Sequence, residues 1–358
     1  MNALSTSTSG LSRSREIGLD SARTLAIAGM IAAHTSRMIV LEVRPAWCDW
    51  ILLLEPVIPS LFLLLVGISL TLSQEKFRAR LPEGAPDGST GSWFLRQARR
   101  AAVLWLISMA FYLLEMGPRF PDFFTLSGIL ATISYAIVIT AALLALPRSA
   151  WMLALALAGG AAIFLAVDGT SVFPLNSGDA PLLPLFLFTF AGALWSKART
   201  RFPRPVFWCG LAAAGVAAWL IHRFGLHALF TKPFGRSDAT RLVAAPLFLK
   251  GGERTIGYYN LGPWLALCCL ALHLAGLSIL GLLNRLGPAG VRRLRPLFTF
   301  GRHSLEVYVL HLALLAVLVV SFGPKPLPTP TLGNLTVAGV ALCCMAWCWF
   351  REKSRLQR

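Results

Sequence analysis

The chain has 358 residues, of which 56% are hydrophobic and only 14% charged, with a mean hydropathy of +0.66. That composition leaves too little polar surface for a soluble domain of this size, and it excludes a disordered chain, a collagen-like or coiled-coil rod and a disulfide-framed secreted domain. Lys and Arg number 33 against 16 Asp and Glu, and the +17 excess falls in short clusters between apolar stretches, which points to membrane topology and away from nucleic-acid binding.

Residues 1–22, with the polar tract Ser5 to Gly10 followed by Arg13 and Arg15, read as a cytoplasmic tail. The apolar run after it is too long for a cleaved signal peptide and is expected to stay as a first span. About 20 helical residues cross the roughly 30 Å hydrocarbon core. By that ruler the spans run from 24 to 42, 51 to 73, 101 to 117, 126 to 146, 150 to 168, 181 to 196, 205 to 222, 259 to 283, 298 to 320 and 333 to 350. The runs lack the period-2 alternation of barrel strands, so the fold class is all-α, a polytopic bundle of about ten transmembrane helices over residues 23–350 with a tail at 351–358. Ten spans put both termini on one side. Sorted by loop, 23 cations fall on that side and 10 on the other, which by the positive-inside rule makes both ends cytoplasmic. The pair of spans flanking Pro147 is the weakest part of the division.

Six of the ten outer cations lie between Arg223 and Arg254, in an outer loop spanning residues 223–257. There Phe224, Phe230, Phe234 and Phe248 alternate with Lys232, Arg236, Arg241, Lys250 and Arg254. This mixture suits anionic headgroups or acidic glycans, or else an aromatic cover lying in the lipid interface. No internal repeat marks an inverted-repeat transporter. The seven cysteines are an odd number and six lie in apolar runs, where a thiol acts as a small hydrophobe.

Ionisable groups within spans are costly and are functional candidates by default. In the first span Arg23 and His34 are eleven residues apart, which places them on one helical stripe, about 20° and roughly 16 Å from one another. Asp20 lies near that stripe and is expected to pair with Arg23. The ninth span presents two polar faces. Arg302 and Glu306 have i,i+4 spacing and are expected to pair, while Ser304, Tyr308 and His311 form a second stripe. Cys269 and His273 share a face of the eighth span, but two ligands without carboxylates read as core, and no metal site is expected.

The run Arg15-x4-Asp20-x2-Arg23-x-x-Ala26-Ile27, followed by His34, resembles the first span of the transmembrane acyltransferase superfamily. That group includes the acyltransferase family 3 proteins and the catalytic region of heparan-alpha-glucosaminide N-acetyltransferase. Pro59-Ser60-Leu61-Phe62 and Val66-Gly67-Ile68-Ser69 are similar to the second span of the heparan-type branch. Gly301-Arg302-His303-Ser304-Leu305 with Tyr308 and His311 is similar to the late Gly-Arg-x-Ser-Leu and Tyr-x-x-His signature of bacterial relatives. The usual Arg-Gly of the first span is Arg23-Thr24 here.

The resemblance implies an integral membrane acyltransferase. It would move an acyl group, commonly acetyl, from cytoplasmic acyl-CoA to a hydroxyl or amine of a glycan or glycolipid on the far side. Acyl-CoA would be a donor substrate with no cofactor bound permanently; the bilayer and the acceptor would be the other partners, with no nucleic acid, and a homodimer is compatible. The expected location is a bacterial inner membrane. Arg23, Arg99, Arg100 and Arg302 would bind the donor. His34 would be general base or acyl-carrying nucleophile, with Glu306 and His311 also catalytic. Asp20, Glu55, Ser304, Tyr308, Arg236 and Arg241 would contact substrate. The partner that orients His34 should come from another helix, with Glu306, Tyr308, Ser304 and Glu55 as candidates. A proton-coupled small-solute transporter, or a scaffold whose charges only pin helices, would also bury such groups.

Overall fold

The computed structural model describes residues 16–36, 47, 51, 56–81, 89–116, 128–167, 175, 180–224, 262–285, 290, 294, 298–322 and 329–356. Glu55, Arg236, Arg241 and nearly all of the 223–257 loop lie outside the described residues. Within them the chain forms α1 (Ile17–Ser36), α2 (Val57–Arg78), α3 (Ser89–Met116), α4 (Gly128–Ala145), α5 (Ser149–Ala166) and α6 (Leu182–Arg201). These are followed by α7 (Pro203–Phe224), α8 (Pro263–Gly281) with a 3-10 turn at Leu282–Arg285, α9 (Thr299–Arg302), α10 (Ser304–Phe322) and α11 (Pro330–Leu356). No strand occurs among the described residues, and the chain is an all-α polytopic membrane protein.

Each expected span overlaps one long helix. Six of these, α2, α4, α5, α7, α8 and α11, are long and apolar enough to cross a membrane by composition alone. The spans flanking Pro147 are separate helices, parted at Arg148, which takes a left-handed φ of 55° and so stops α4 from continuing into α5. Helix ends differ from the expected spans wherever hydropathy and helicity part company. α2 runs on through Gln74-Glu-Lys-Phe-Arg78, and α3 begins at Ser89, twelve residues before the span assigned to it at 101. Polar helix formers carry both helices past the apolar core.

The ninth span is a correction. The expected single helix over 298–320 is broken at His303, which caps α9 with φ −117° and ψ 27° before α10 starts at Ser304. Arg302 and Glu306 therefore stand on different helices, and the i,i+4 pair does not form. Arg302 instead pairs with Glu352 of α11. Glu306 takes Arg351 through Nε and Nη2, each at 3.1 Å, and accepts a bond from Trp347 Nε1 at 3.2 Å. The buried His303 lies between both clamps, 3.7 Å from Glu306 and 3.8 Å from Glu352.

Lipid is as apolar as leucine, so helices in a bilayer associate through close packing and interhelical hydrogen bonds. α1 packs against α2, α8, α9, α10 and α11, and it does so with Ala22, Ala26, Ile27, Ile31 and Ala33 buried. A Cβ on Gly301 of α9 would overlap the carbonyl oxygen of Asp20, and one on Gly18 would overlap that of Leu280. α2 and α6 approach closely in the same way, because Gly67 lies on the Thr189 carbonyl and Gly192 on that of Leu64. His273 of α8 bonds Ser60 of α2 at 2.8 Å with Phe188 edge-on, so it cross-links two helices.

Two outcomes follow for stability in detergent. Gly67→Ala should cost about 1–3 kcal/mol because backbone must move, whereas Gly159→Ala, with nothing within 4 Å, should leave the unfolding temperature nearly unchanged. Equal effects would contradict the α2–α6 contact. Arg302→Gln and Glu352→Gln should each destabilise, with a double-mutant coupling of about 1 kcal/mol after solvent screening; purely additive losses would refute the clamp.

Candidate active site

α1 brings the polar residues of the first span into the middle of the bundle. At its start Asp20, with its side chain 5% exposed, accepts a 2.8 Å bond from Arg23 Nη1, as the spacing suggests. Arg23 Nη2 donates to Ser69 Oγ on α2, also at 2.8 Å. Thr24 uses its hydroxyl to accept the Gly301 N–H at 2.9 Å. The threonine that replaces the usual glycine is thus absorbed by a hydrogen bond to α9, and Gly301 supplies the close approach.

Arg23 forms one wall of a cavity of about 370 Å³. Ser69, Ser73, Lys76, Phe77 and Arg80 line it from the α2 side, and Trp93, Arg96, Gln97 and Arg100 from α3. Among the described residues that line this space five are cations and none is a carboxylate, and Asp20 pairs with one of the five, Arg23, from beside it. Trp93 is buried and anchored by a bond from Nε1 to Ser73 Oγ at 3.2 Å, and Arg96 lies over the Phe77 ring at 4.7 Å. An open groove of about 390 Å³ continues outward along Phe77, Ser92, Leu95, Arg96 and Arg99. Clustered guanidinium and ammonium groups beside aromatic walls suit a phosphorylated, ring-bearing ligand.

Eleven residues along α1, His34 Nδ1 lies 3.0 Å from His311 Nε2 on α10, and the rings stack at 5.2 Å with 19° between planes. His311 is fully buried, and its Nδ1 lies 3.2 Å from the Val307 carbonyl oxygen. Tyr308 meets the His311 ring edge-on at 5.2 Å, and Phe62 of α2 packs 6.2 Å from Tyr308. The histidine that imidazole chemistry would use is therefore held by a second imidazole from the helix expected to supply its partner.

The structure sorts the expected residues into groups. Arg23 and Arg100 share the cavity, and Arg99 lines its outer groove. His34, His311 and Tyr308 meet in the bundle interior. Asp20 is occupied in holding Arg23. Arg302 and Glu306 are engaged by α11 and do not join either group, while Ser304 opens α10 seven residues before His311. The sequence reading assigned no role to Lys76, Arg80, Arg96, Trp93 or Ser69. Their signal was present, because Ser69, Ser73, Lys76 and Arg80 recur at helical spacing once α2 is allowed to outrun its apolar part.

Comparison with curated proteins gives no match. A protein-family model, that of the catalytic region of heparan-alpha-glucosaminide N-acetyltransferase, matches residues 15–231, which takes in Asp20, Arg23, His34 and every wall of the cationic cavity. The match covers more than half of the chain, and the protein belongs to the heparan-alpha-glucosaminide N-acetyltransferase catalytic family.

Proposed function

We propose that this protein transfers an acyl group, commonly acetyl, from cytoplasmic acyl-CoA to a hydroxyl or amine of a glycan or glycolipid at the opposite face of a bacterial inner membrane. One observation carries the reading: a single stripe of α1 links Arg23, in a five-cation cavity, to His34 about three turns deeper in the bundle. A CoA ester needs both ends of that line. Its phosphates are too charged to enter the apolar core, whereas its thioester sits at the end of a thin arm.

In this reading Arg23, Lys76, Arg80, Arg96 and Arg100 take the phosphates and the Trp93 and Phe77 rings flank the nucleotide. Arg99 extends the same field along the groove. The thioester then reaches toward His34 between helices. His34 takes the proton from the acceptor hydroxyl or amine as that atom forms its bond to the thioester carbonyl carbon. The carbon–sulfur bond breaks, and the proton passes from His34 to the departing CoA thiolate. The cation bias of the loops supports an orientation with both termini cytoplasmic, which puts the cationic cavity at the side where acyl-CoA is found.

Membranes containing the protein, incubated with radiolabelled acetyl-CoA and fractionated into lipid and glycan, should show incorporated label. His34→Ala should lower it by about 100-fold or more. Arg23→Gln and Arg100→Gln should each raise the KM for acetyl-CoA by about tenfold, the loss expected of one charge-assisted bond to phosphate. Undiminished labelling by His34→Ala would remove its assigned role. Proton-driven solute uptake without any acylated product would replace the enzyme with a transporter.

A further inference from the structure

The histidine pair carries directional information that a lone base would not. A backbone carbonyl can only accept, so the His311 nitrogen facing Val307 O, Nδ1, must be the protonated one. The ring is fully buried with Tyr308 at its edge, where an uncompensated charge would be expensive, so it is the neutral imidazole with one proton. Its Nε2 is then a pure acceptor. The 3.0 Å contact can be made only if His34 donates from Nδ1, and in the neutral form of His34 that places its lone pair on Nε2.

We infer that His311 is a positioning residue that locks the tautomer of His34 through the chain Val307 O, His311 and His34, so that His34 Nε2 is the atom that receives the acceptor proton. This inference rests on the acyl-transfer reading above and assigns the atom within it. The lock uses a neutral partner where hydrolytic triads use a carboxylate. Proton transfer to His34 Nε2 makes an imidazolium whose Nδ1–H still points at His311 Nε2, and the stacked pair holds one extra proton at most, since a second would put two cations in contact. That single proton is the one returned to the CoA thiolate, so the pair ends each turnover in its starting tautomers. On α10 the Tyr308 ring meets His311 edge-on, and Phe62 of α2 packs against Tyr308.

The test is a pH series of kcat and KM for acetyl-CoA in membranes carrying His311→Leu, His311→Gln and His311→Glu, with wild type and His34→Ala run in parallel. Binding of labelled CoA at the cationic cavity reports that each variant is folded. His311→Leu should lose about 100-fold in kcat with KM for acetyl-CoA unchanged. His311→Gln, whose amide oxygen can take the place of Nε2 as acceptor, should recover at least about tenfold of that loss. His311→Glu should move the acidic limb of kcat/KM to higher pH by about one unit, because a carboxylate stabilises the imidazolium of His34. A merely structural role would move KM and kcat together and leave the limb in place. Equal losses in His311→Leu and His311→Gln, or an unshifted limb in His311→Glu, would overturn the lock; should His311→Leu fail to bind CoA, the other two variants decide alone. Absence of acyl transfer in wild type would instead defeat the acyltransferase reading, while an active wild type, an inactive His34→Ala and a flat His311 series would defeat only the lock.

Discussion

The bond between Asp20 and Arg23 fixes the rest of the site. An arginine near the apolar core needs a counter-charge, and the carboxylate one turn earlier on α1 supplies it at 2.8 Å while Ser69 takes the other end of the guanidinium. The same Asp20 offers its backbone carbonyl to α9, where only a glycine fits, and Thr24 beside it receives the Gly301 N–H. One turn of α1 therefore sets the cation of the cavity wall and also the height at which α9 and α10 dock. Since His311 stands on α10, the register of the histidine pair follows from this junction.

The polar groups divide by helix in a way that separates binding from anchoring. α1, α2 and α3 carry the cavity. α9, α10 and α11 carry the clamps Arg302–Glu352 and Glu306–Arg351, which tie the C-terminal helix to the break at His303. His311 and Tyr308 on α10 face α1 and α2. A helix with two polar faces thus serves two neighbours: its first turn is held by α11 through Glu306, and Tyr308 and His311 in its next turn reach the interior.

Much of this was legible in the sequence, because apolar run length reports helices directly and a titratable group inside such a run is conspicuous. The all-α membrane bundle came from apolar run length, and the Asp20–Arg23 pair and the shared stripe of Arg23 and His34 came from spacing. The break at His303 was not legible, since Gly301-Arg302-His303-Ser304 contains no proline and its bend depends on α11, more than 40 residues later. The exchange of partners by Arg302 and Glu306 follows from that bend. The His34–His311 contact joins residues 277 apart, and periodicity within either helix cannot report it. The cations of α2 and α3 were counted as loop charges because hydropathy marks where lipid ends and not where a helix ends.

Those five cations have a consequence for the protein without its ligand. Among the described residues, Lys76, Arg80, Arg96 and Arg100 line one cavity of about 370 Å³ and repel one another, while Arg23 is balanced by Asp20. Neutral side chains at those four positions would remove that repulsion. In the proposed acyl-CoA reading, a polyanion held there would relieve the same repulsion, and its binding free energy would include that relief. Occupancy and folding would then be thermodynamically linked. The contacts of Gly67 with Thr189 and of Gly192 with Leu64 hold α2 to α6 apart from those charges, since none of the described lining residues lies on α6.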